Sequence, residues 1–316
     1  MKFSVTIPAY KSQFLDEAIK SVVCQTYSDW ELIIVDDCSP ENLEAIVRPY
    51  LTDSRIHYYR NEKNCGAVNV VDNWNICLSY CIGDYVICIG DDDRLLPCCL
   101  EELGKLIHNH PNLNVYHLQT EIIDDASKVI EVLEERPERE DALSVMTKRW
   151  RGRKQYIGDF CYYRKHLVSC GGYYYIPYAW GSDDVTLFNA ALPSGIANSN
   201  RTCFQYRENR YSISLSHTEV EKVSATLLMK EWHKSKLTEL LSQGTYTKED
   251  IQEALIAMNH FIEGQIVCQI KRDLKRGGFN RYWFWLRNYP KHTLSHLLMM
   301  KVFINSIIET SWQKEK

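Results

Sequence analysis

The N-terminal third of the chain alternates between short apolar runs and segments whose apolar residues recur at helical spacing. The segment after the first run places Phe14, Leu15, Ala18, Ile19 and Val22 on one face of a helix. The apolar runs are KFSVTIP, WELIIVDD, RIHYYR and DYVICIG. Buried strands that alternate with helices are typical of a mostly parallel sheet with helices on both faces. The pattern therefore predicts an α/β fold whose ligands bind at the carboxyl ends of the strands.

The stretch GAVNVVDNWNICLSYC predicts a further helix of this layer. Apolar residues recur along it at intervals of three and four, which is the period of one helix face. The inward stripe is expected to consist of Val68, Val71, Trp74, Leu78 and Cys81.

The pattern changes after the helix CCLEELGKLIHNH. The segments NVYHLQTEII and KVIEVLEE flank a polar turn at residues 124–127, which predicts a hairpin. A helix, DVTLFNAAL, and a strand, RTCFQYR, follow before an exit loop, and from about Glu219 the pattern is almost wholly helical. We expect a sheet domain over residues 1–218, mixed but mostly parallel and flanked by helices, and a helical accessory region over residues 219–316.

The charge of the chain is distributed unevenly. The net charge of its 316 residues is -4, yet residues 271–316 carry ten Lys or Arg against three Asp or Glu, a net of +7, which leaves -11 for the first 270 residues. This end interleaves cations with aromatic residues in KRDLKRGGFNRYWFWLRNYPK, and an amphipathic segment too short to span a bilayer follows. Such a sequence suits peripheral contact with anionic lipid. The alternative is a helical subdomain that packs on the rest of the chain or on a second copy in a homo-oligomer.

Twelve cysteines occur, and several of them lie inside apolar patterns, where a free thiol behaves as a small hydrophobe. They contain no Cys-x-x-Cys pair, so we expect reduced cysteines and no structural zinc. Only Met1 and Lys2 precede the first predicted strand in this sequence, so we expect no signal peptide. The expected location is cytoplasmic, at the inner face of the membrane if the basic end binds lipid, and no nucleic-acid partner is expected.

Two acidic groups follow predicted strands: Asp36 and Asp37 after the second, and Asp91, Asp92 and Asp93 after the fourth. Strand-end aspartates are often solvated turn residues or helix caps. Three adjacent carboxylates beside apolar surface, however, indicate that a cation binds there. Mg²⁺ and Mn²⁺ prefer oxygen ligands, and phosphate oxygens often complete their coordination shell. The site is therefore a candidate for a metal-bound nucleoside diphosphate.

Glycine-rich phosphate binding is not indicated by the sequence. The turn after the first strand reads IPAYKS, whereas a dinucleotide-binding sheet needs Gly-x-Gly-x-x-Gly there, and no Walker loop occurs. A metal ion would therefore have to bind the phosphates instead.

Four segments in sequential order resemble the inverting GT-A glycosyltransferases of the family-two type. They are SVTIPAYKSQFLDEAIKSVVCQ, ELIIVDDCSPE, NEKNCG and GDYVICIGDDDRLLP, and the likeness covers roughly residues 3–110. The resemblance implies a GT-A catalytic domain that transfers a sugar from a nucleotide donor, with a UDP-sugar as first choice, to a glycan or lipid-linked saccharide acceptor. It further implies inversion at the sugar and assistance by Mn²⁺ or Mg²⁺, in the synthesis of a cell-envelope or capsular polysaccharide.

The resemblance also implies nucleotide-binding residues. Asp37 corresponds to the acid that accepts a hydrogen bond from the base, and Arg207 is placed to meet the diphosphate. Asn209 stands where the family often has a histidine ligand. The remaining positions implied for the nucleotide are Pro8, Ala9, Tyr10, Asn64, Gly66 and Asp91.

The Asp-x-Asp region of the family corresponds to the acids after the fourth strand. Aligned on Pro97, this chain has Gly90 where the first acid commonly stands. That departure makes Asp92 the first choice as metal ligand, with Asp91 facing ribose or metal and Asp93 in support.

The general base implied by the resemblance lies in WGSDDVTLF. Inverting transfer needs one carboxylate to take the proton of the acceptor hydroxyl. Spacing to Leu187 favours Asp184 with Asp183 beside it, although an acid here can instead cap the helix. Trp180 and Tyr175 are candidates for contact with donor or acceptor sugar, or for sealing a core.

Other classes of protein fit the sequence less well. A phosphohydrolase with an aspartate nucleophile needs its acids after the first strand, and a nucleotidyltransferase needs a glycine-rich basic loop there. The alternatives that stay open are a non-catalytic relative that binds a nucleotide sugar and a nucleotidyltransferase.

Overall fold

The fold is described from a computed structural model covering residues 1–192, 194–209, 218–288, 297–300 and 302–304. The predicted exit loop beyond Asn209 and most of the amphipathic segment near the C-terminus lie outside these residues. The chain divides into two compact units. Unit 1 comprises residues 1–149 and 153–212, and unit 2 comprises residues 150–152 and 213–316.

One mixed sheet forms the centre of unit 1. Across the described residues its strand order is β3-β2-β1-β4-β9-β6-β10-β5, with β7 paired to β6 and β8 to β10. The strands are β1 (Phe3–Ala9), β2 (Trp30–Asp36), β3 (Ile56–Arg60), β4 (Tyr85–Cys88), β5 (Arg94–Leu95), β6 (Val115–Ile123), β7 (Val129–Val132), β8 (Arg139–Glu140), β9 (Phe160–Tyr163) and β10 (Ile196–Arg207). The first four strands are parallel to one another, β9 runs antiparallel between β4 and β6, and β6 and β10 are parallel. This arrangement confirms the predicted mixed, mostly parallel sheet.

Helices cover the sheet of unit 1. They are α1 (Leu15–Val23), α2 (Leu43–Val47), α3 (Val70–Tyr80), α4 (Cys99–Asn109), α5 (Ala142–Trp150), α6 (Arg164–Ser169) and α7 (Ser182–Ala191), of which the last residue of α5 belongs to unit 2. The predicted apolar face of α1 packs inward, with Leu15, Ala18, Ile19 and Val22 fully buried. β2 is buried along its whole length, as expected of a parallel strand covered on both faces.

The predicted inward stripe of the third helix is partly wrong. Val68 precedes α3 and is exposed, and Trp74 is only half-buried. Asn73 is buried instead, because its Nδ2 donates to the carbonyl of Val35 (3.3 Å) and its Oδ1 accepts from Asn61 (3.1 Å). Hydrogen bonds of Asn73 with Val35 in β2 and with Asn61 after β3 set the rotation of this helix, and the spacing of apolar residues does not predict them.

The predicted hairpin is confirmed. β6 and β7 pair antiparallel, and the turn between them is closed by the Ser127 amide donating to the Asp124 carbonyl at 2.9 Å. β7 is exposed along its whole length.

Unit 2 contains two long helices, α8 (Glu219–Gln243) and α9 (Lys248–Asn288). Thr218 and Glu221 form a capping box at the start of α8, and Gly244, with φ of 68°, ends the helix in the left-handed region that favours glycine. Residues 297–300 and 302–304 are also helical. Within the described ranges, none of the helices has the length and apolarity needed to cross a bilayer.

Candidate active site

The loop after β1 and the acids after β4 are joined directly. The amides of Tyr10 and Lys11 both donate to Oδ2 of Asp91, each at 2.7 Å. Parallel pairing of β1 with β4 brings these two strand ends together. The loop expected to contact the nucleotide, Pro8 to Tyr10, therefore lies against the acidic cluster, with the Tyr10 ring exposed.

Asp37, directly after β2, accepts hydrogen bonds that hold the segment from Asn61 to Cys65 in place. Its Oδ1 accepts from Asn61 Nδ2 and from the Cys65 amide, both at 2.9 Å, while its carbonyl accepts from Asn64 Nδ2 at 2.8 Å. Gly66 follows with φ of 76°, a backbone conformation that favours glycine. Because a carboxylate has about four acceptor positions, Asp37 keeps capacity for a ligand donor. The structure thus brings Asp37, Asn64 and Gly66 together, as expected.

The three aspartates after β4 differ in their surroundings. Asp93 is buried, and its two oxygens accept from the amides of Gly90 and Arg207, each at 3.0 Å. Burial, and then the charge of Asp92, raise the pKa of Asp91 to about 6, although the charge of Lys11 acts to lower it. The same two causes hold the pKa of Asp93 well above its ordinary value. The protein partners therefore do not compensate the charge of three ionised carboxylates, and a bound cation would do so.

Asp92 is the half-exposed member of the cluster. Its Oδ2 accepts from Asn209 Nδ2 at 2.7 Å and lies 3.8 Å from Lys11 Nζ. Asn209, where a histidine ligand is common in the family, thus contacts the expected metal ligand directly. Lys11 was not among the predicted site residues, although a cation directly after Tyr10 was visible in the sequence.

A metal ion would need ligands beyond the protein. Within the part of the chain that the structure describes, no three His, Cys, Asp or Glu side chains converge to hold an ion by themselves. Of the predicted ligands, Asp92 is half-exposed, whereas Asp91 and Asp93 are buried and accept hydrogen bonds from backbone amides. One half-exposed carboxylate beside uncompensated acids still fits Mg²⁺ or Mn²⁺, which uses one or two carboxylates plus phosphate oxygens.

Arg207 does not have the surroundings expected of a diphosphate ligand. It is 1% exposed, and its guanidinium donates to the carbonyls of Asp92 (2.8 Å) and Asp124 (2.9 Å) and to the side chains of Ser127 and Glu17 (both 2.9 Å). These bonds tie the acidic turn to α1 and to the β6–β7 hairpin. Arg207 is thus a positioning residue, and the expectation of a direct phosphate contact has to be corrected.

Gly90 gives a first prediction. A Cβ at this position would lie 2.6 Å from Asp92 Oδ1 and 2.9 Å from Asp93 Oδ2. Because Asp93 is fixed by two amides, we expect Gly90→Ala to destabilise the protein by about 1–3 kcal/mol, through overpacking, and to displace Asp92. Thermal unfolding measures the first effect, and metal-dependent nucleotide binding measures the second. Gly104→Ala in α4 is the control, since a Cβ there makes ordinary 3.7 Å contacts and should not lower the melting temperature. Equal melting of both variants would contradict the role of Gly90.

The two acids at the start of α7 have different environments. Asp184 is 1% exposed, and both of its oxygens lie 3.0 Å from Arg149 Nε, with Gln155 Nε2 2.8 Å from Oδ1. Asp183 is half-buried. Burial first, and the charge of Asp184 second, raise the pKa of Asp183 to about 7 against the opposing effect of Arg149. Asp184 therefore has the surroundings of a structural anion, and Asp183 those of a proton acceptor.

Tyr156 and Tyr206 form a stacked aromatic pair near the Asp91 to Asp93 cluster. The rings of Tyr156 and Tyr206 are 3.7 Å apart. Burial, and then the charge of Asp93, raise the pKa of Tyr206, and burial, then the charge of Asp159, raise the pKa of Tyr156 against the opposing charge of Arg149. Arg149 and Tyr156 gave no local signal in the sequence, because their partners are distant along the chain.

The loop before α7 has an unusual backbone. Tyr178 and Ala179 have positive φ values of 64° and 53°, a conformation that costs energy in residues other than glycine and occurs often at functional sites. Trp180 is half-buried, and Tyr175 is exposed with its hydroxyl donating to Asn69 Oδ1 at 2.9 Å. Both residues predicted to contact sugar thus retain accessible ring surface.

The fold and these acids define the GT-A class of nucleotide-sugar transferase folds. The model of glycosyl transferase family 2 matches residues 4–173, and the chain belongs to that family. Members of the family generally use a divalent metal ion. Among solved structures, Staphylococcus aureus TarS 1-349 in complex with UDP-GlcNAc aligns with a TM-score of 0.70 and 14% identity, covering 100% of this chain and 93% of that one. This likeness shows the shared fold.

Two named relatives are more similar in sequence over shorter stretches. The UDP-Glc:alpha-D-GlcNAc-diphosphoundecaprenol beta-1,3-glucosyltransferase WfgD of Escherichia coli is 31% identical over 128 residues, 40% of this chain and 48% of that protein. The GalNAc(5)-diNAcBac-PP-undecaprenol beta-1,3-glucosyltransferase of Campylobacter jejuni is 35% identical over 104 residues, 32% of this chain and 33% of that protein. The matches thus span a third to a half of these relatives' own length.

Proposed function

We propose that this protein is an inverting glycosyltransferase that moves a sugar from a UDP-sugar to a lipid-linked saccharide. The observation that carries the proposal is the convergence of the β1 loop, Asp37 and the Asp91 to Asp93 cluster at one edge of the sheet, supported by membership of family 2. TarS, which shares the fold, holds UDP-GlcNAc in its crystal structure, which supports the choice of UDP.

We assign the nucleotide end of the donor to the segment around Asp37. A uracil N–H donates a hydrogen bond, and a carboxylate that already accepts only uncharged donors accepts such a bond readily. The loop of Pro8 to Tyr10 lies between this position and the acids, so the ribose would lie near Asp91.

We assign the diphosphate to Asp92, Lys11 and Asn209. Bound Mn²⁺ or Mg²⁺ would be held by Asp92 and would supply positive charge that stabilises the leaving diphosphate. Lys11 adds a cation at 3.8 Å from the same carboxylate, and Asn209 orients Asp92 through its 2.7 Å hydrogen bond.

The base is assigned to Asp183, in preference to the first choice from the sequence, Asp184. The acceptor hydroxyl attacks the anomeric carbon while its proton passes to the carboxylate, and the bond to the diphosphate breaks on the opposite side. A base acts best with a pKa near the working pH, and that of Asp183 is raised to about 7. Asp184, held by Arg149 and Gln155, keeps the start of α7 in place.

The proposed acceptor class is supported by the relatives. Both named glucosyltransferases act on saccharides linked to diphosphoundecaprenol, and a lipid-linked acceptor would bring this protein to the cytoplasmic face of a membrane in polysaccharide synthesis. The exposed ring of Tyr175 and the partly exposed ring of Trp180 are assigned to sugar contact.

Binding of UDP tests the nucleotide site. We expect Asp37→Asn to weaken UDP binding, measured by isothermal titration calorimetry with Mn²⁺, by about 10–100-fold, because a charge-assisted hydrogen bond contributes roughly 1.5–3 kcal/mol. Asp29→Asn, an exposed aspartate directly before the other end of β2, is the matched control and should bind like the wild type. If the wild type binds no nucleoside diphosphate, or if both variants bind equally well, the assignment is wrong.

A further inference from the structure

The helical residues near the C-terminus are apolar on two opposite sides. Leu298, Met299 and Val302 are buried, whereas Leu297 (77%), Met300 (59%) and Ile304 (52%) are exposed. A helix on the surface of a protein in water normally presents polar residues outward, and a helix that is apolar all round lies in a core or against lipid. The outward side of residues 297–304 has no such cover among the described residues.

The end of α9 extends this apolar surface. Trp283 and Leu286, one turn apart, are exposed, while Trp285 between them is fully buried. The rings of Tyr282 and Phe303 stack with centroids 5.4 Å apart, which places the two helical segments side by side. We name the exposed set the outer apolar face; its members are Trp283, Leu286, Leu297, Met300 and Ile304.

The charge around the outer apolar face has one sign. Residues 274–308 contain six Lys or Arg and no Asp or Glu. The nearest preceding acid, Asp273, is buried. Its Oδ2 lies 2.6 Å from Arg281 Nη2 and accepts a hydrogen bond from Trp285 Nε1 at 2.7 Å. The exposed cations of α9 in this stretch are Lys275, Arg276 and Arg287, and Arg276 Nη1 lies 3.3 Å from Glu219 Oε1.

We propose that the outer apolar face binds the surface of an anionic lipid bilayer. Exposed Trp and aliphatic side chains insert at the headgroup boundary, and flanking cations attract anionic headgroups. A second copy of the chain fits less well, because a twofold interface would bring the cations of residues 274–308 close to one another, and this stretch contains no acid. The proposal does not depend on the proposed reaction or on the donor site.

Vesicle flotation of the full-length protein tests the proposal. Binding is expected to vesicles that contain phosphatidylglycerol, to be weak with phosphatidylcholine alone, and to fall as salt is added. The triple variant Leu297→Ser, Met300→Ser, Ile304→Ser should bind at least about tenfold more weakly, because its apolar contribution is lost. Lys275→Glu with Arg287→Glu should weaken binding by roughly fivefold or more per cation.

A control variant distinguishes binding through this face from non-specific binding through other exposed apolar residues. Leu228→Ser with Leu241→Ser removes two exposed leucines of α8 and should leave flotation unchanged. The proposal is overturned if wild-type protein does not float with anionic vesicles, or if the control pair loses as much binding as the triple variant. It is also overturned if light scattering shows that the wild type is a dimer and that, of these variants, only the triple variant is a monomer. UDP binding, measured on the same preparations, reports the donor site independently, so failure of one proposal is distinguishable from failure of the other.

Discussion

Replacing Asp183 with asparagine should reduce sugar transfer by about 10²–10⁴-fold, the contribution of a positioned base, while UDP binding and the melting temperature stay near those of the wild type. Asn cannot accept the proton of the attacking hydroxyl. In the wild type, transfer should rise as the pH passes through about 7, because only the ionised carboxylate of Asp183 acts as the base. Rates measured from pH 5.5 to 8.5 at saturating donor test both statements.

Asp184→Asn is the neighbouring control with a different expected signature. Removing the charge takes the buried carboxylate of Asp184 from Arg149, which should cost about 2–3 kcal/mol and lower the melting temperature by roughly 5–10 °C. If instead Asp184→Asn abolishes transfer at an unchanged melting temperature while Asp183→Asn remains active, the base is Asp184 and our assignment is reversed.

Asp92→Asn should abolish metal-dependent turnover, with a loss of about 10³-fold or more, because the only half-exposed carboxylate of the cluster loses its charge. Addition of Mn²⁺ should then no longer raise the affinity for UDP. The variant should fold normally, since the hydrogen bonds of Asp91 and Asp93 that hold the turn remain.

Asp125→Asn, in the exposed turn between β6 and β7, is the matched control and should retain wild-type turnover. A metal response that survives in Asp92→Asn would place the metal ion elsewhere.

The sequence predicts most of the sheet because apolar runs report burial directly. KFSVTIP and WELIIVDD became β1 and β2, and their parallel pairing sets Asp37 beside the loop of Tyr10, as expected from strand-end geometry. The rotation of α3 was less predictable, because Asn73 is turned inward by hydrogen bonds to Val35 and Asn61 rather than by hydrophobicity.

Roles that depend on distant partners could not be read from the sequence. Arg207 binds Glu17 and Ser127, which are 190 and 80 positions away, so its motif position alone suggested a phosphate ligand. Likewise, the sequence alone does not distinguish the adjacent acids Asp183 and Asp184. The structure distinguishes them, because Arg149, 35 positions before Asp184, donates a hydrogen bond to Asp184.

The most direct measurement of the central claim is a crystal structure of the protein soaked with UDP and Mn²⁺. We predict the uracil against Asp37, the ribose near Asp91, and the metal ion between Asp92 and the diphosphate. Density for UDP at another surface, or an empty pocket at saturating UDP with Asp92 turned away from it, would contradict the account.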